Sequence, residues 1–89
     1  MYTREQILDK VKDIIVSHNY CDRDEVSLTT TLEDDLGLDS LDRIELSMEL
    51  ERELGISLND ETISQAKQVS HIVDHVEEVQ RQLESASKN

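Results

Sequence analysis

The residues that decide the fold are Asp34-Asp35-Leu36-Gly37-Leu38-Asp39-Ser40-Leu41-Asp42-Arg43-Ile44-Glu45-Leu46, at the end of a loop and the start of a helix. Asp39 is a favourable N-cap and Gly55 a natural stop, which predicts a helix over about 40–54. At about 100° per residue, its apolar side chains fall into two opposite arcs. One arc comprises Leu46, Leu50 and Leu54, and the other Leu41, Ile44 and Met48. The first arc is expected to face a core, and the second is either another packing face or an exposed contact patch.

Apolar periodicity predicts three further helices on either side of this segment. Thr3 and Gln6 have the spacing of a capping box that opens a helix over about 4–18. A stripe of Val, Ile and Leu side chains predicts another long helix over about 68–83, although Lys67 and Gln68 are poor N-cap residues. A polar cluster between apolar residues predicts a short helix near 60–65. The expected fold class is therefore all-α, a four-helix bundle of three long helices and one short helix.

The chain is expected to form one domain, residues 1–89, because 89 residues can bury only one small core. Residues 85–89 are expected to fray as a tail. Residues 19–38 look like a loop rich in Asp, Thr and Ser, and loops of such length are often functional. The apolar residues expected to hold this loop to the core are Val26, Leu28 and Leu32.

Composition excludes several classes of function. The net charge of −12 argues against nucleic acid binding, which requires a basic patch, and against anionic membrane surfaces. The longest uninterrupted apolar run is Ile14–Val16, so no membrane insertion is expected. The N-terminal residues lack an apolar signal region, which predicts a cytoplasmic location. The single cysteine, Cys21, cannot form an intrachain disulfide.

The negative charge is concentrated in the middle of the chain. Residues 33–61 contain eleven acidic and two basic residues, which amounts to −9 of the total −12. Such a run is usually only a solvated face. Its density here suggests a docking surface for basic partners.

Metal-site and hydrolase interpretations fail on residue type. An EF-hand loop would put Leu36 and Leu38 at ligand positions, where apolar side chains supply no oxygen. Ser40 lacks the two flanking glycines of a nucleophile elbow. His71 and His75 have the i, i+4 spacing of a metal pair, but no third or fourth ligand is evident, so no specific metal site is expected. Two readings of Ser40 remain: a helix-terminus serine with no further role, or an accessible hydroxyl that another enzyme modifies.

The segment Glu33–Leu46 closely resembles the attachment motif of acyl carrier proteins, D-L-G-x-D-S-L-D followed by x-x-E-L. The resemblance extends over about residues 3–82 and implies the acyl-carrier-like four-helix bundle. It implies that Ser40 carries 4′-phosphopantetheine, transferred from coenzyme A by a phosphopantetheinyl transferase. The terminal thiol would hold acyl intermediates as thioesters and deliver them to enzymes of fatty acid or related polyketide and lipid biosynthesis. A protein of this kind is a carrier and not an enzyme.

The resemblance also implies a docking helix over residues 40–54. The implied partner-binding residues are Asp39, Leu41, Asp42, Glu45, Met48 and Glu51. Their expected partners are the transferase and the acyl-loading, synthase and acyltransferase enzymes that bear basic docking patches, with the carrier itself a monomer. The alternative is an unmodified acidic helical adaptor for basic partner proteins.

Six departures from the family pattern leave room for a specialised pathway. Two of them, Leu32 and Leu54, stand where Phe is frequent, so the core is expected to be purely aliphatic. Arg43 adds a positive charge near the attachment site, and Arg52 stands where an acid is common. Ser47 replaces a usually apolar residue on the core side. Asn59 occupies the place of a common proline.

Overall fold

The computed structural model describes residues 1–18 and 20–86, with side-chain surroundings as far as residue 84. The four helices are α1, Arg4–Ser17; α2, Ser40–Leu54; α3, Asp60–Ser64; and α4, Val69–Ala86. A 3₁₀ turn at Arg23–Glu25 was not predicted. The all-α class and the division into three long helices and one short helix are confirmed. The predicted end of α4 near 83 was three residues too early, and the expected tail falls mainly on 87–89, which lie outside the described residues.

Local capping explains why α1 and α2 begin and end where they do. The Thr3 hydroxyl accepts a hydrogen bond from the Gln6 N–H at 3.2 Å, and the Gln6 side chain accepts one from the Thr3 N–H at 2.9 Å. This is the predicted capping box of α1. Helix α2 ends at Gly55, whose φ of 69° lies in the left-handed region that glycine adopts without a steric penalty.

All four helices contribute to one aliphatic core. Its fully buried side chains include Ile7, Ile15, Leu50, Ile63, Val69, Ile72 and Val76. The loop expected to pin itself to this core does so through Val26 and Leu32, while Leu28 is only partly buried. Leu36 and Leu38 are also buried, which the periodicity did not reveal because these residues belong to no helix.

The loop of residues 20–38, here the capping loop, has its own hydrogen bonds. Thr30 is buried, accepts a hydrogen bond from the Ser27 N–H at 2.8 Å and donates one to the Glu25 carbonyl at 3.2 Å. The Thr31 N–H donates to the Asp35 carboxylate at 2.9 Å, and the Asp35 N–H donates to the Thr31 hydroxyl at 3.0 Å. Outside the short 3₁₀ turn at Arg23–Glu25, the loop therefore satisfies part of its backbone through side-chain hydrogen bonds.

The capping loop also supplies the N-terminal cap that α4 lacks in its own sequence. The Val69 N–H donates to the Thr30 carbonyl at 3.0 Å, and the Ser70 N–H donates to the Leu28 carbonyl at 2.8 Å. The Leu32 N–H in turn donates to the Lys67 carbonyl at 2.9 Å. The first two N–H groups of α4 are thus satisfied by backbone carbonyls from a distant part of the chain, while the His71 N–H donates to the nearby Gln68 carbonyl at 3.0 Å.

The far end of α4 is fixed by a buried glutamine that interrupts its apolar stripe. Gln80 accepts a hydrogen bond from the Tyr2 N–H at 2.8 Å and donates one to the Tyr2 carbonyl at 3.1 Å. This pairing holds the start of the chain against α4. Leu83, which continues the stripe in the sequence, is 52% exposed.

Candidate functional site: the N-terminal turn of α2

Ser40 is the first residue of α2 and is exposed to solvent. The backbone before it is held in place. Gly37, with a φ of 69°, turns the chain, and the buried Leu38 donates its N–H to the Leu32 carbonyl at 2.8 Å. An accessible hydroxyl therefore stands on the first turn of a helix, directly after an anchored segment.

Asp39 and Asp42 form a reciprocal capping box around Ser40. The Asp42 N–H donates to the Asp39 carboxylate at 2.8 Å, and the Asp39 N–H donates to the Asp42 carboxylate at 3.1 Å. Both carboxylates also interact favourably with the positive end of the helix dipole. Because the Asp42 N–H already donates to Asp39, it is not available to donate to a negatively charged group attached to the Ser40 hydroxyl.

The two arcs of α2 face opposite environments, as the helical spacing allowed. Leu46, Leu50 and Leu54 are buried, which confirms the expected core face. On the other side, Leu41 is 70% exposed and Met48 is 48% exposed. Ile44, the third member of this arc, is partly buried. The second arc is therefore open to solvent at Leu41 and Met48 in the chain alone, while Ile44 is partly covered.

The six residues predicted to bind partners divide into two groups. Leu41, Glu45 and Met48 are exposed. Asp39 and Asp42 are engaged in the capping box, and the Glu51 carboxylate accepts a hydrogen bond from the Leu58 N–H at 2.9 Å. This second group therefore shapes the backbone around α2 as well as carrying charge.

Tyr20 and His18 line the side of α2 that faces α1. The rings stack with centroids 5.7 Å apart, and His18 Nε2 lies 2.8 Å from the Glu49 carboxylate. Burial raises the pKa of Tyr20, and a hydrogen bond to Asp42 raises it further. The cavity beside these rings has a volume of about 10 Å³, which is enough for one water molecule.

Arg43 has surroundings that the sequence did not predict. It was predicted to add a positive charge near Ser40, yet its side chain is only 12% exposed and turns into the protein. It lines an open hollow of about 390 Å³ together with Ser40, Asp39 and Gly37. The helical spacing could have predicted that Arg43 is buried, because it precedes Leu46 by three residues and Leu50 by seven. Arg43 therefore shares their buried face of the helix.

The two histidines with metal-pair spacing accept backbone hydrogen bonds. His75 Nε2 accepts from the Asn59 N–H at 3.0 Å, and His71 Nδ1 accepts from the Lys67 N–H at 3.1 Å. The resemblance implies a proline at the place of Asn59, and a proline would offer no N–H to His75. Within the described part of the chain, no group of three or more His, Cys, Asp or Glu side chains could hold a metal ion. None of the described helices combines the length and apolarity needed to cross a membrane.

Comparison with known proteins finds matches over most of the chain. A family model described as a phosphopantetheine attachment site matches residues 9–76, a range that includes Ser40. An acyl carrier protein of Petrotoga mobilis is 38% identical over 76 residues, which are 85% of this chain and 89% of the relative. An acyl carrier protein of Chlorobium phaeobacteroides is 40% identical over 74 residues, which are 83% of this chain and 95% of the relative. One from Phytoplasma australiense is 39% identical over 71 residues, 80% of this chain and 93% of the relative.

Proposed function

The chain belongs to the acyl carrier protein family, and from this premise we propose that Ser40 is the residue that carries its 4′-phosphopantetheine. The protein is a carrier in acyl biosynthesis and not an enzyme, and phosphopantetheine is its prosthetic group. The covalent step joins Ser40 Oγ to the phosphorus of the pantetheine phosphate of coenzyme A. The bond between this phosphorus and the bridging oxygen of the pyrophosphate breaks, the adenosine bisphosphate portion leaves with that oxygen, and the hydroxyl proton is released to solvent.

The observation that carries the assignment is the exposed hydroxyl of Ser40 on the first turn of α2. Modification requires a hydroxyl that a second enzyme can reach, and the hollow beside Ser40 is open to solvent. The residues present fit the group, because the attachment point is accessible and its backbone is fixed by the Asp39 cap. When bound, phosphopantetheine supplies a mobile thiol that holds acyl groups as thioesters.

The exposed side of α2 supports a docking surface for the enzymes that load and use the carrier. Acyl carrier proteins interact with synthase and transferase enzymes. For this chain, the proposed contacts are Asp39, Leu41, Asp42, Glu45, Met48 and Glu51. Leu41 and Met48 offer apolar anchors and Glu45 a charge between them, within the segment that holds −9 of the net charge. Basic patches on the phosphopantetheinyl transferase, acyl-loading enzymes, synthases and acyltransferases complement this surface.

The same proposal includes the domain organisation, the oligomeric state and the location of the protein. Residues 1–89 act as one carrier domain, which the single core shared by all four helices supports. The carrier works as a monomer, because a net charge of −12 opposes self-association. It acts in the cytoplasm, which suits a chain whose only cysteine cannot form an intrachain disulfide.

Intact-mass measurement tests the attachment site. Wild type and Ser57→Ala, which removes another exposed serine, are expected to gain one phosphopantetheine after incubation with coenzyme A and a broad-specificity transferase. Ser40→Ala is expected to gain none and to change the free energy of unfolding by less than ~1 kcal/mol. The increment on Ser40→Ala would overturn the assignment, and its absence from wild type would favour the unmodified adaptor.

Charge reversal tests the docking surface. Glu45 is exposed, and a rim charge mainly steers encounter, so Glu45→Lys is expected to lower the transferase kcat/KM about tenfold at low salt. The loss should shrink as salt is added, because salt screens exposed charges. Glu78→Lys makes the same change in net charge at an exposed position on α4. Equal losses in both variants would show that only net charge matters and that Glu45 lies outside the docking surface.

A further inference from the structure

Arg43 is an almost buried cation one helical turn from Ser40. Its side chain is 12% exposed, whereas Arg52 on the same helix is exposed. An arginine is seldom buried to this extent unless its guanidinium is hydrogen-bonded, because desolvation of a charge is unfavourable. The bonds that Arg43 makes therefore indicate what its burial achieves.

The guanidinium of Arg43 donates to two backbone carbonyls from different parts of the chain. Nη1 donates to the Ser64 carbonyl at 2.8 Å, and Nη2 donates to the Leu38 carbonyl at 3.2 Å. Nη2 also lies 3.6 Å from the carboxylate of Glu33, whose side chain is 81% exposed. A pair so exposed on one side contributes little, so the two carbonyls are the substantial contacts.

One of these carbonyls lies at the end of α3, and the other lies just before Ser40. Ser64 is the last residue of α3, and carbonyls in the last turn of a helix have no partner within the helix. Leu38 lies two residues before Ser40, and its own N–H is already committed to Leu32. Arg43 thus joins the segment that presents Ser40 to the end of α3.

We propose that Arg43 is a positioning residue that fixes the Ser40 turn against the C-terminal end of α3, so that transferring enzymes meet both as one rigid unit. Only an arginine at this position spans two carbonyls with separate nitrogens, because its donors form a fixed fork. The Nε atom is buried and has no hydrogen-bond partner within the described residues. The two terminal nitrogens therefore make the connection without Nε.

The inward direction of Arg43 has a consequence for docking. The positive charge does not lie on the exposed face with Leu41 and Met48, so it leaves the acidic surface of α2 largely intact. Arg52 is the matched contrast, since it carries the same charge on the same helix but is exposed near the opposite end. Removing the charge at either residue changes the net charge equally, while only Arg43 makes the two carbonyl bonds.

Amide hydrogen exchange on the unmodified protein tests the connection without relying on the proposed attachment. Arg43→Met keeps an unbranched apolar stem but removes every donor. It is expected to accelerate exchange about tenfold or more in both residues 36–41 and residues 61–66. Arg52→Met should leave both segments at the wild-type rate. Arg43→Lys keeps the charge but reaches one carbonyl at a time, so its exchange rates should lie between those of wild type and Arg43→Met.

Transferase kinetics form the second readout, and this one rests on the proposed attachment at Ser40. A poorly held serine spends less time in the reactive geometry, so Arg43→Met should lower kcat several-fold with a smaller change in KM. Arg43→Lys should recover part of the loss, and Arg52→Met should not lower kcat. If Arg43→Met fails to fold, the comparison of Arg43→Lys with wild type in both assays decides the question.

The two readouts separate failure of the inference from failure of the proposed function. Wild-type exchange in Arg43→Met, acceleration in only one segment, or an equal effect of Arg52→Met would overturn the positioning role even if Ser40 is loaded normally. If wild type gained no phosphopantetheine, the attachment at Ser40 would be overturned. The exchange result would be unaffected, because it is measured on unmodified protein.

Discussion

Helix α2 begins with a cap built from its own first residues, whereas α4 begins against the capping loop. In α2, Asp39 and Asp42 exchange hydrogen bonds across one turn. In α4, Val69 and Ser70 donate their N–H groups to the carbonyls of a loop that lies far upstream in the chain. A helix start that satisfies itself can face outward, while one satisfied by a loop must stay covered by it.

This difference assigns separate tasks to the two helix starts. The start of α2 carries its own side-chain cap, so Ser40 remains accessible while bonds from Arg43 and Leu32 hold the backbone before it. The start of α4 keeps the capping loop folded over the bundle, and the same loop leads through Leu38 into the Ser40 turn. The long loop expected to be functional from its length therefore also has a structural role, because it caps α4.

The largest expected effect comes from loosening the capping loop. Leu32 is fully buried and lies two residues after Thr30, whose carbonyl caps α4, so Leu32→Ala is expected to lower the free energy of unfolding by about 2–5 kcal/mol. Urea denaturation followed by circular dichroism measures the change. Amide exchange should show the greatest acceleration at Val69 and Ser70 and less at Asp42.

Leu28→Ala is the matched control for that variant. Leu28 lies in the same loop but is only partly buried, and its carbonyl bond to Ser70 remains after the substitution. Leu28→Ala should therefore lower the free energy of unfolding by less than Leu32→Ala does. If Asp42 exchanged as fast as Val69 in Leu32→Ala, the two helix starts would not be independent and the comparison would be wrong.

The same contrast explains which features the sequence could predict. The cap of α1 at Thr3, the cap of α2 at Asp39 and the stop at Gly55 depend on residues within one turn of each other, and all three are confirmed. The cap of α4 was missed because it consists of backbone carbonyls, which every residue carries and no side chain marks. The 3₁₀ turn at 23–25 was missed because three residues leave no periodic pattern.

For the candidate site, helical spacing separated the buried and exposed sides of α2 but did not reveal what the charged residues do. For Arg43, the sequence predicted only a positive charge near Ser40. Its spacing from Leu46 and Leu50 nevertheless puts it on the buried face of the helix. Its two acceptors, the carbonyls of Leu38 and Ser64, are identified only when α3 is placed against α2. Gln80 is a similar case, since a buried amide that binds the backbone of Tyr2 has no sequence signature.

An intermediate effect is expected from removing the side chain at each helix start. Asp39→Ala removes the α2 cap and should lower the free energy of unfolding by about 1 kcal/mol. Gln68→Ala changes the corresponding position before α4 and removes the hydrogen bond from the Gln68 side chain to the Ser70 hydroxyl at 2.6 Å. It should lower the free energy of unfolding by less than Asp39→Ala, because loop carbonyls already accept the Val69 and Ser70 N–H groups. Thermal and urea denaturation of the two variants under identical conditions give the difference.

Asp39→Asn distinguishes capping from charge in this experiment. Asparagine caps a helix about as well as aspartate, so this variant should stay close to wild type in stability while losing one negative charge. A loss in Asp39→Asn as large as in Asp39→Ala would assign the effect to charge. A loss in Gln68→Ala as large as in Asp39→Ala would mean that α4 depends on its own side chain after all.

The smallest expected effect is a change in the reactivity of Cys21, which lies at the start of the capping loop and is partly buried. Burial raises the pKa of its thiol, and the nearby carboxylates of Glu25 and Asp22 raise it further. Because the reactive species is the thiolate, wild type should react with iodoacetamide more slowly at mildly alkaline pH than an unburied cysteine in a peptide. The raised pKa means that the folded state favours the protonated thiol. This contribution to stability is present below the ordinary thiol pKa and is lost as the pH rises through the raised value.

The Cys21 reaction therefore reports whether the capping loop has opened. Leu32→Ala loosens the loop and should bring the alkylation rate closer to that of the peptide, since opening removes the burial that raises the pKa. Asp39→Ala weakens only the start of α2 and should leave the rate near that of wild type, even though it also destabilises the protein. Mass spectrometry of the alkylated fraction against time, below the unfolding transition of every variant, measures the three rates. Equal acceleration in Leu32→Ala and Asp39→Ala would mean that Cys21 reacts through global unfolding, and that the capping loop does not open separately from α2.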